Sequence, residues 1–492
     1  MTSLFQSQYR NIFIVSLAIF LITAFFSEGY YHPDEHFQIL EFCNYKLGFS
    51  SAADLPWEFH EEIRPALQPA IALATIKALL LFHIRNPFSW ALFLRILSGL
   101  FAWFVMAKAI LFFQKDFSTD QGKKIFLLLS FFLWFIPFNN VRFSSENFSG
   151  ITFLLSIYFT LQSLEDTSKN KVAKLFIAGF LLGLAFIFRF QMGLAIMGLG
   201  LWLMIIRKIE LKYLLLLIVS GLCSVLFCIY LDYWFYGKWV LTPLNYYTAN
   251  IIENKAANWG IKPWWTYFNY FIIDPVPPIS ILLLIFFVIG LIKKSKHVLV
   301  WCLVPFILAH FLIGHKEIRF MFPMAFSFLF LAAQGIDSFI SSGKYLKTGR
   351  IVFRICMFIN IALLLIVMVR PAQEAICYYK FLYNYSSKKE ITILSNEKDA
   401  YEVSGLRTNF YKSTHVNCII TKDTLAQIEY VNILKPDSIL ILERELYENI
   451  KFPGYTKESI YSIFPEWVLK NNYNNWQHRT RIWNIRKLKK MN

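Results

Sequence analysis

Apolar residues run through this chain in stretches too continuous for strands and too uniform for helices with one polar face. Twelve such runs cover residues 11–27, 66–84, 89–113, 125–138, 149–164, 175–188, 192–206, 214–231, 279–292, 298–312, 320–338 and 351–369. About 17–20 helical residues cross the hydrocarbon core of a bilayer, so most of these runs predict transmembrane helices. The run at 66–84 is interrupted by Gln68, Pro69 and Lys77, and it reads as a helix lying at the interface. From Arg370 the pattern changes. Short β-prone stretches, Ile391-Thr392-Ile393-Leu394 and Ser438-Ile439-Leu440-Ile441-Leu442, alternate there with polar helical segments. The expected fold is mainly α: a polytopic transmembrane helix bundle over residues 1–370, then a small α/β domain over 371–492.

Composition agrees. Of 492 residues 57% are hydrophobic and 16% charged, against about 25% charged in soluble domains, and the mean hydropathy is +0.47. The 14 Trp and 25 Tyr suit membrane–water interfaces. A net charge of +17 raises nucleic acid as a partner, but no basic helix or RNA-binding motif accompanies it. Cys223, Cys228, Cys302 and Cys356 fall within apolar runs, as small buried thiols do. Cys377 and Cys418 are able to pair if the tail is extracytoplasmic. No cysteine spacing suits zinc. Met1 to Ser27 has one Arg before its apolar run and no small-residue cleavage site, so it reads as a retained signal-anchor.

Charge settles the expected topology. With 66–84 at the interface and Met1 cytoplasmic, the loops 114–124, 165–174, 207–213, 293–297 and 341–350 lie inside, each with three Lys or Arg. The short outside connections 139–148, 189–191 and 313–319 hold one, one and two. Counting 66–84 as a span reverses every loop, so the positive-inside rule favours 11 spans, N-terminus inside and C-terminus outside. The outer face then carries the long loops 28–88 and 232–277 and the tail.

Candidate chemistry gathers on that face. Tyr30-Tyr31-His32-Pro33-Asp34-Glu35-His36-Phe37-Gln38 follows the first run directly. Adjacent carboxylates at a membrane surface repel one another, and partial desolvation prepares a general base. Asp34 equally suits the N-cap of a helix starting near Glu35. Glu58 and Glu62-Ile63-Arg64-Pro65 read as an ion pair holding the loop, as do Arg142 and Glu146. Arg189, in Phe188-Arg189-Phe190-Gln191, either snorkels to the headgroups or contacts an anion inside the bundle. His315-Lys316-Glu317-Ile318-Arg319-Phe320 suits a phosphate, with Arg319 able to take two oxygens at once. A juxtamembrane basic patch is the plainer reading of it. The aromatic residues around Asn245, Tyr246 and Trp264 fit a sugar, a lipid isoprene unit or an interfacial belt.

Taken in order, these segments resemble the glycosyltransferase family that includes the mannosyltransferases of GPI-anchor and N-glycan precursor assembly, family 22 of the GT-C superfamily. The likeness runs over roughly residues 10–340. It rests on His32-Pro33-Asp34-Glu35 with Gln38 and Glu41, Glu62-Ile63-Arg64-Pro65, Arg142-Phe143-Ser144-Ser145-Glu146, Phe188-Arg189-Phe190, Pro243-Leu244-Asn245-Tyr246, Gly260-Ile261-Lys262-Pro263-Trp264-Trp265-Thr266-Tyr267 and the His315–Phe320 segment. The resemblance implies transfer of a sugar, usually mannose, from a polyprenyl-phosphate donor to a glycan or glycolipid acceptor, with inversion. Asp34 would be the base, supported by Glu35. Arg189, His315, Lys316 and Arg319 would hold the leaving lipid phosphate. His32, Gln38, Arg64, Asn245, Tyr246 and Trp264 become candidate substrate contacts. No metal cluster or nucleotide-sugar fold is visible, so neither a metal nor another cofactor is expected. Eukaryotic members typically have Pro after the intramembrane Arg, where this chain has Phe190-Gln191, and the tail matches no family motif. The Lys-, Asn- and Ile-rich composition points to a bacterial inner membrane, and the family to the endoplasmic reticulum.

A transporter or flippase for a lipid-linked saccharide is the competing class. Such proteins usually show inverted repeats and broken helices at the midplane, and no internal repeat is present here. A third reading changes only the donor sugar, to arabinose or glucose. The topology has a direct check. Reporter fusions after Lys124, Lys174 and Lys296 are expected to report cytoplasm, and one after Asn492 the outside; a cytoplasmic C-terminal fusion refutes the span count.

Overall fold

Each of the twelve apolar runs lies largely on a helix. The computed structural model describes residues 8–491 apart from 167, 169, 344–346, 374, 397–398, 404, 435–437, 444–450, 472 and 477–483. Lys169 and Lys344 of the expected inside loops, and the fusion point Asn492, lie outside the described residues. Among the described residues, five helices are long and apolar enough to cross a membrane: Pro87–Asp116, Asn170–Phe188, Leu211–Tyr236, Ile318–Ser341 and Gly349–Val369. A sixth span is formed if Asp120–Phe132 and Phe135–Val141, bent by 53° at their junction, count as one. Eleven is reached only by adding Ser145–Glu165 and the shorter apolar helices Arg10–Phe26, Met192–Ile205, Ile279–Lys293 and Val298–Leu312. Helix Leu67–Leu81 carries Pro69 in its first turn, where the missing N–H breaks no helical bond.

Two compact units divide the chain. The first comprises Met1–Ser27, Trp57–Ala78 and Leu92–Arg370, and the second Glu28–Pro56, Leu79–Ala91 and Pro371–Asn492. In the first, apolar surface gives little drive for helix association within a bilayer, so close backbone approach matters. Gly290 on Ile279–Lys293 faces the Leu331 carbonyl, and Gly335 on Ala325–Ser341 faces the Phe286 carbonyl. A Cβ at either position would overlap that oxygen, so only glycine permits this contact. Asp337, buried on Ala325–Ser341, accepts from the Ser118 N–H at 2.7 Å and the Thr119 N–H at 3.1 Å. Thr119 is itself the N-cap of Asp120–Phe132. The bend between Asp120–Phe132 and Phe135–Val141 frees backbone groups that hydrocarbon cannot satisfy. Asn360 answers both: its amide donates to the Phe132 carbonyl at 2.7 Å, and its oxygen accepts from the Trp134 N–H at 2.9 Å.

The second unit holds a mixed five-stranded sheet. Its strands are β1 (Ile391–Ser395), β4 (Val416–Ile420), β5 (Ile439–Glu443), β6 (Tyr455–Ser462) and β7 (Asn484–Lys490), ordered β4-β1-β5-β7-β6. β1 runs parallel to β4 and β5, while β7 runs antiparallel to β5 and β6. A short hairpin, β2 (Glu402–Val403) and β3 (Leu406–Arg407), stands apart from the sheet. Leu394, Val431, Ile439, Ile441 and Leu488 form the domain's core. The two β-prone stretches of the sequence are β1 and β5, both almost wholly buried because they lie inside the sheet. Cys377 and Cys418 form no disulfide. Cys418 sits beside Asp399, and burial pushes its thiol up to about 12.

Replacing Asn360 with Leu keeps the volume and removes both bonds at the helix break. The expected cost is on the order of 1–3 kcal/mol, read as a lower unfolding midpoint in detergent. An unchanged midpoint would mean that the break satisfies itself.

Candidate functional site

The acidic pair occupies the first turn of a helical stretch that runs from Pro33 to Lys46, with one π-turn at His36–Leu40. Asp34 is not its N-cap. His32 takes that place, its Nδ1 accepting from the Asp34 N–H at 3.3 Å, and Pro33 fills the first helical position. Glu35, at the third position, reaches back to the Tyr31 N–H at 3.4 Å. His32 and Glu35 thus each take one backbone N–H at the start of the helix. The Asp34 carboxylate, 22% exposed, lies 3.4 Å from the same His32 Nδ1. Gln38 is buried within the π-turn.

The cations expected to hold a phosphate lie in the first unit, linked by carboxylates. Glu146, at the start of Ser145–Glu165, is buried, and its Oε1 accepts from Arg189 Nη1 at 2.7 Å and Arg319 Nη1 at 2.9 Å. Arg319 turns its remaining fork to Glu317, Nε to Oε2 at 2.6 Å and Nη2 to Oε1 at 3.2 Å. The grip expected for two phosphate oxygens is thus filled by Glu317, a carboxylate two residues away. Arg189 is as buried as Arg319, both 7% exposed, but its Nε has no hydrogen-bond partner. Phe320 lies against both guanidiniums, 4.8 Å from Arg189 and 5.2 Å from Arg319. His315 stands at the end of this chain of charges. Its Nε2 is 2.7 Å from Glu317 Oε1 and its Nδ1 3.0 Å from the Gly260 carbonyl. Both nitrogens face oxygen atoms. Lys316 is 1% exposed and donates to the Ile313 carbonyl at the end of Val298–Leu312. Burial holds its pKa below the usual lysine range.

A second grouping joins Arg64, Asn245 and Tyr246. The Arg64 guanidinium lies 5.8 Å from the Tyr246 ring, Tyr246 Oη accepts from Gln191 Nε2 at 2.6 Å, and Asn245 Nδ2 donates to the Glu62 carbonyl at 3.3 Å. Two residues absent from the sequence reading place Arg64. Tyr236 Oη donates to the Arg64 carbonyl at 2.7 Å, and the fully buried Asp232 accepts from the Ala66 N–H at 2.7 Å and Thr242 Oγ1 at 2.9 Å. The usable signal was an acid on an apolar helix, since Leu211–Tyr236 extends beyond the run that ends at 231. Glu62 pairs with Lys238 at 2.6 Å. Trp264 joins neither grouping: it is 60% exposed and meets Phe268 edge-on at 6.1 Å. A cavity of about 320 Å³ lined by Lys171, Arg207, Lys208, Glu210 and Tyr213 contains none of the candidate residues.

Known proteins share this architecture. Over 97% of the chain the fold matches ArnT from Cupriavidus metallidurans, solved with undecaprenyl phosphate, at TM-score 0.57 and 9% identity, covering 98% of that chain. An Archaeoglobus fulgidus oligosaccharyltransferase matches over 88% of this chain and 68% of its own at TM-score 0.51 and 8% identity. At such identities the likeness concerns fold alone, and it is the GT-C fold. Among curated relatives, GPI mannosyltransferase 3 of Yarrowia lipolytica is 26% identical over 68% of this chain and 63% of its own length. GPI alpha-1,2-mannosyltransferase 3 of Homo sapiens is 24% identical over 64% and 57%. A probable Dol-P-Man:Man(7)GlcNAc(2)-PP-Dol alpha-1,6-mannosyltransferase of Schizosaccharomyces pombe is 26% identical over 62% and 53%. The chain thus spans little more than half to under two thirds of these relatives. They are transferases by name, not transporters. The Alg9-like mannosyltransferase family matches residues 11–403, which is most of the chain, and the protein belongs to that family.

Proposed function

We propose that the protein is an integral membrane mannosyltransferase. It moves mannose from a polyprenyl-phosphate donor to a lipid-linked glycan on the extracytoplasmic face, by one inverting displacement. Family membership supports the reaction class. The observation that carries the assignment of roles is the place of Asp34 in the first turn of the acidic helix, its carboxylate part-exposed and 3.4 Å from the Nδ1 of the capping His32.

The chemistry asks for two things. As the bond from the acceptor oxygen to the anomeric carbon forms, the hydroxyl proton must go to a base; Asp34 takes it. As the bond from that carbon to the phosphate oxygen breaks, its electron pair stays with the phosphate, and the growing negative charge needs donors already in place. Arg189 supplies them, since its buried Nε makes no other bond. Arg319 acts with it through Glu146, fixing the Arg189 guanidinium and adding positive charge. His315 and Lys316 extend the positive field. Glu35 holds the turn on which Asp34 stands. Gln38, Arg64, Asn245 and Tyr246 are the proposed contacts to sugar and acceptor, with Trp264 at the lipid. The eleven-span topology with its C-terminus outside belongs to the same proposal.

Asp34→Asn, assayed in membranes with radiolabelled polyprenyl-phosphate mannose, is expected to lose about 10²–10⁴-fold in rate; full retention removes Asp34 as the base. Arg189→Lys keeps the charge but not the planar donor set, and a loss of about 10²-fold in kcat/KM is expected. A variant with unaltered kcat/KM would detach Arg189 from the phosphate. The Lys316 charge is present below its lowered pKa and lost as pH rises through it. Donor affinity should therefore fall on the alkaline side in the wild type, and Lys316→Met should flatten that limb.

A further inference from the structure

The family match ends at residue 403, yet residues beyond it touch the acidic turn. We infer that the C-terminal domain positions that turn, with Glu41 as the positioning residue; this rests on the reading of Asp34 as base. Glu41 is 1% exposed, and its Oε1 meets His36 Nε2 at 2.8 Å and accepts from the Phe410 N–H at 2.9 Å. His36, two residues after Asp34, is fully buried between two tyrosine rings. Tyr30 stacks on one side at 5.2 Å and Tyr411 on the other at 5.4 Å. Tyr411 stacks in turn on Phe88 at 4.8 Å. Further ties flank this one: Asp54 accepts from Asn409 Nδ2 at 3.2 Å, and the Glu28 carbonyl accepts from the Ala372 N–H at 2.8 Å.

Plain domain packing would need no charge here. Apolar side chains hold two segments together without desolvating a carboxylate, and Glu41 Oε2 and His36 Nδ1 are buried without a hydrogen-bond partner. What a directional pair adds is a single register. Glu41 satisfies His36 and Phe410 together only when the π-turn and the loop from Asn409 to Tyr411 are in step. Pro33–Lys46 is one helical stretch, so fixing His36 and Glu41 fixes the rotation of Asp34. The tail thereby reaches the proposed base through a ring stack and one shared carboxylate oxygen.

The test uses the full-length protein in lipid nanodiscs, with hydrogen exchange followed by mass spectrometry on peptides covering 31–42 and 405–412. Mannose transfer from polyprenyl-phosphate mannose is measured per folded molecule. For Glu41→Gln and Tyr411→Leu, faster exchange at 33–41 is expected, with kcat lower by about 10–100-fold and KM for the donor unchanged. If Glu41→Gln fails to accumulate, Tyr411→Leu still reads the coupling, because it removes the ring stacked on His36 at 5.4 Å. Unchanged exchange at 33–41 in Tyr411→Leu overturns the inference. So does faster exchange with wild-type kcat, the outcome of a purely structural contact. Asp34→Asn separates the two readings: full activity there refutes the base, while the exchange measurements still decide whether the tail holds the turn.

Discussion

Glu146 carries its charge between two guanidiniums, and the positive side of the proposed chemistry depends on that sharing. A buried arginine without a counter-charge is costly, and breaking such a pair from one side costs about 3–5 kcal/mol. By meeting Arg189 and Arg319 with one oxygen, Glu146 joins the start of Ser145–Glu165 to the turn after Asn170–Phe188 and to the 3-10 turn Ile318–Met324. Three chain segments far apart in sequence are held at one point. The same bonds rank the cations: Arg319 spends its fork on Glu317 and its remaining nitrogen on Glu146, while Arg189 keeps an unpartnered Nε.

Buried carboxylates recur as fasteners elsewhere. Asp232 accepts from the Ala66 amide, Asp337 from those of Ser118 and Thr119, and Glu41 from that of Phe410. Each acid sits on or beside a helix and each donor belongs to a connecting segment. Charge-assisted bonds to backbone N–H are shorter and stronger than neutral ones. They also satisfy loop amides where water is scarce. Asp232, an acid on an apolar helix, holds the amide two residues after Arg64, and Glu41 holds that of Phe410.

The acidic turn shows how local sequence and tertiary contact divide the work. Pro33, a cap before it and an acid at the third position start a helix on short-range chemistry alone. Residue types leave open which side chain caps. Asp34 is the better capper by propensity, but with Pro33 at the first helical position the cap falls to His32. That choice gives both His32 and Glu35 a structural task.

Much of the architecture was legible in the sequence because bilayer thickness and strand propensity act locally. The apolar runs became helices, Ile391–Leu394 and the stretch near Ile441 became β1 and β5, and the ordered motifs named the family. Other features were not legible. The cysteines at 377 and 418 form no disulfide. Arg319 faces Glu317 with the fork expected for a phosphate. The helix break that Asn360 repairs left no trace in the hydropathy pattern. By itself, the sequence determined what short-range physics controls: where helices start and stop, which stretches are apolar, and which residue types recur in order. Only the tertiary structure decided which acid meets which donor. Glu146 and Arg319 are 173 residues apart, and Glu41 and Phe410 are 369. Bonds across such separations obey no periodicity, and they are set by the packing of the whole chain.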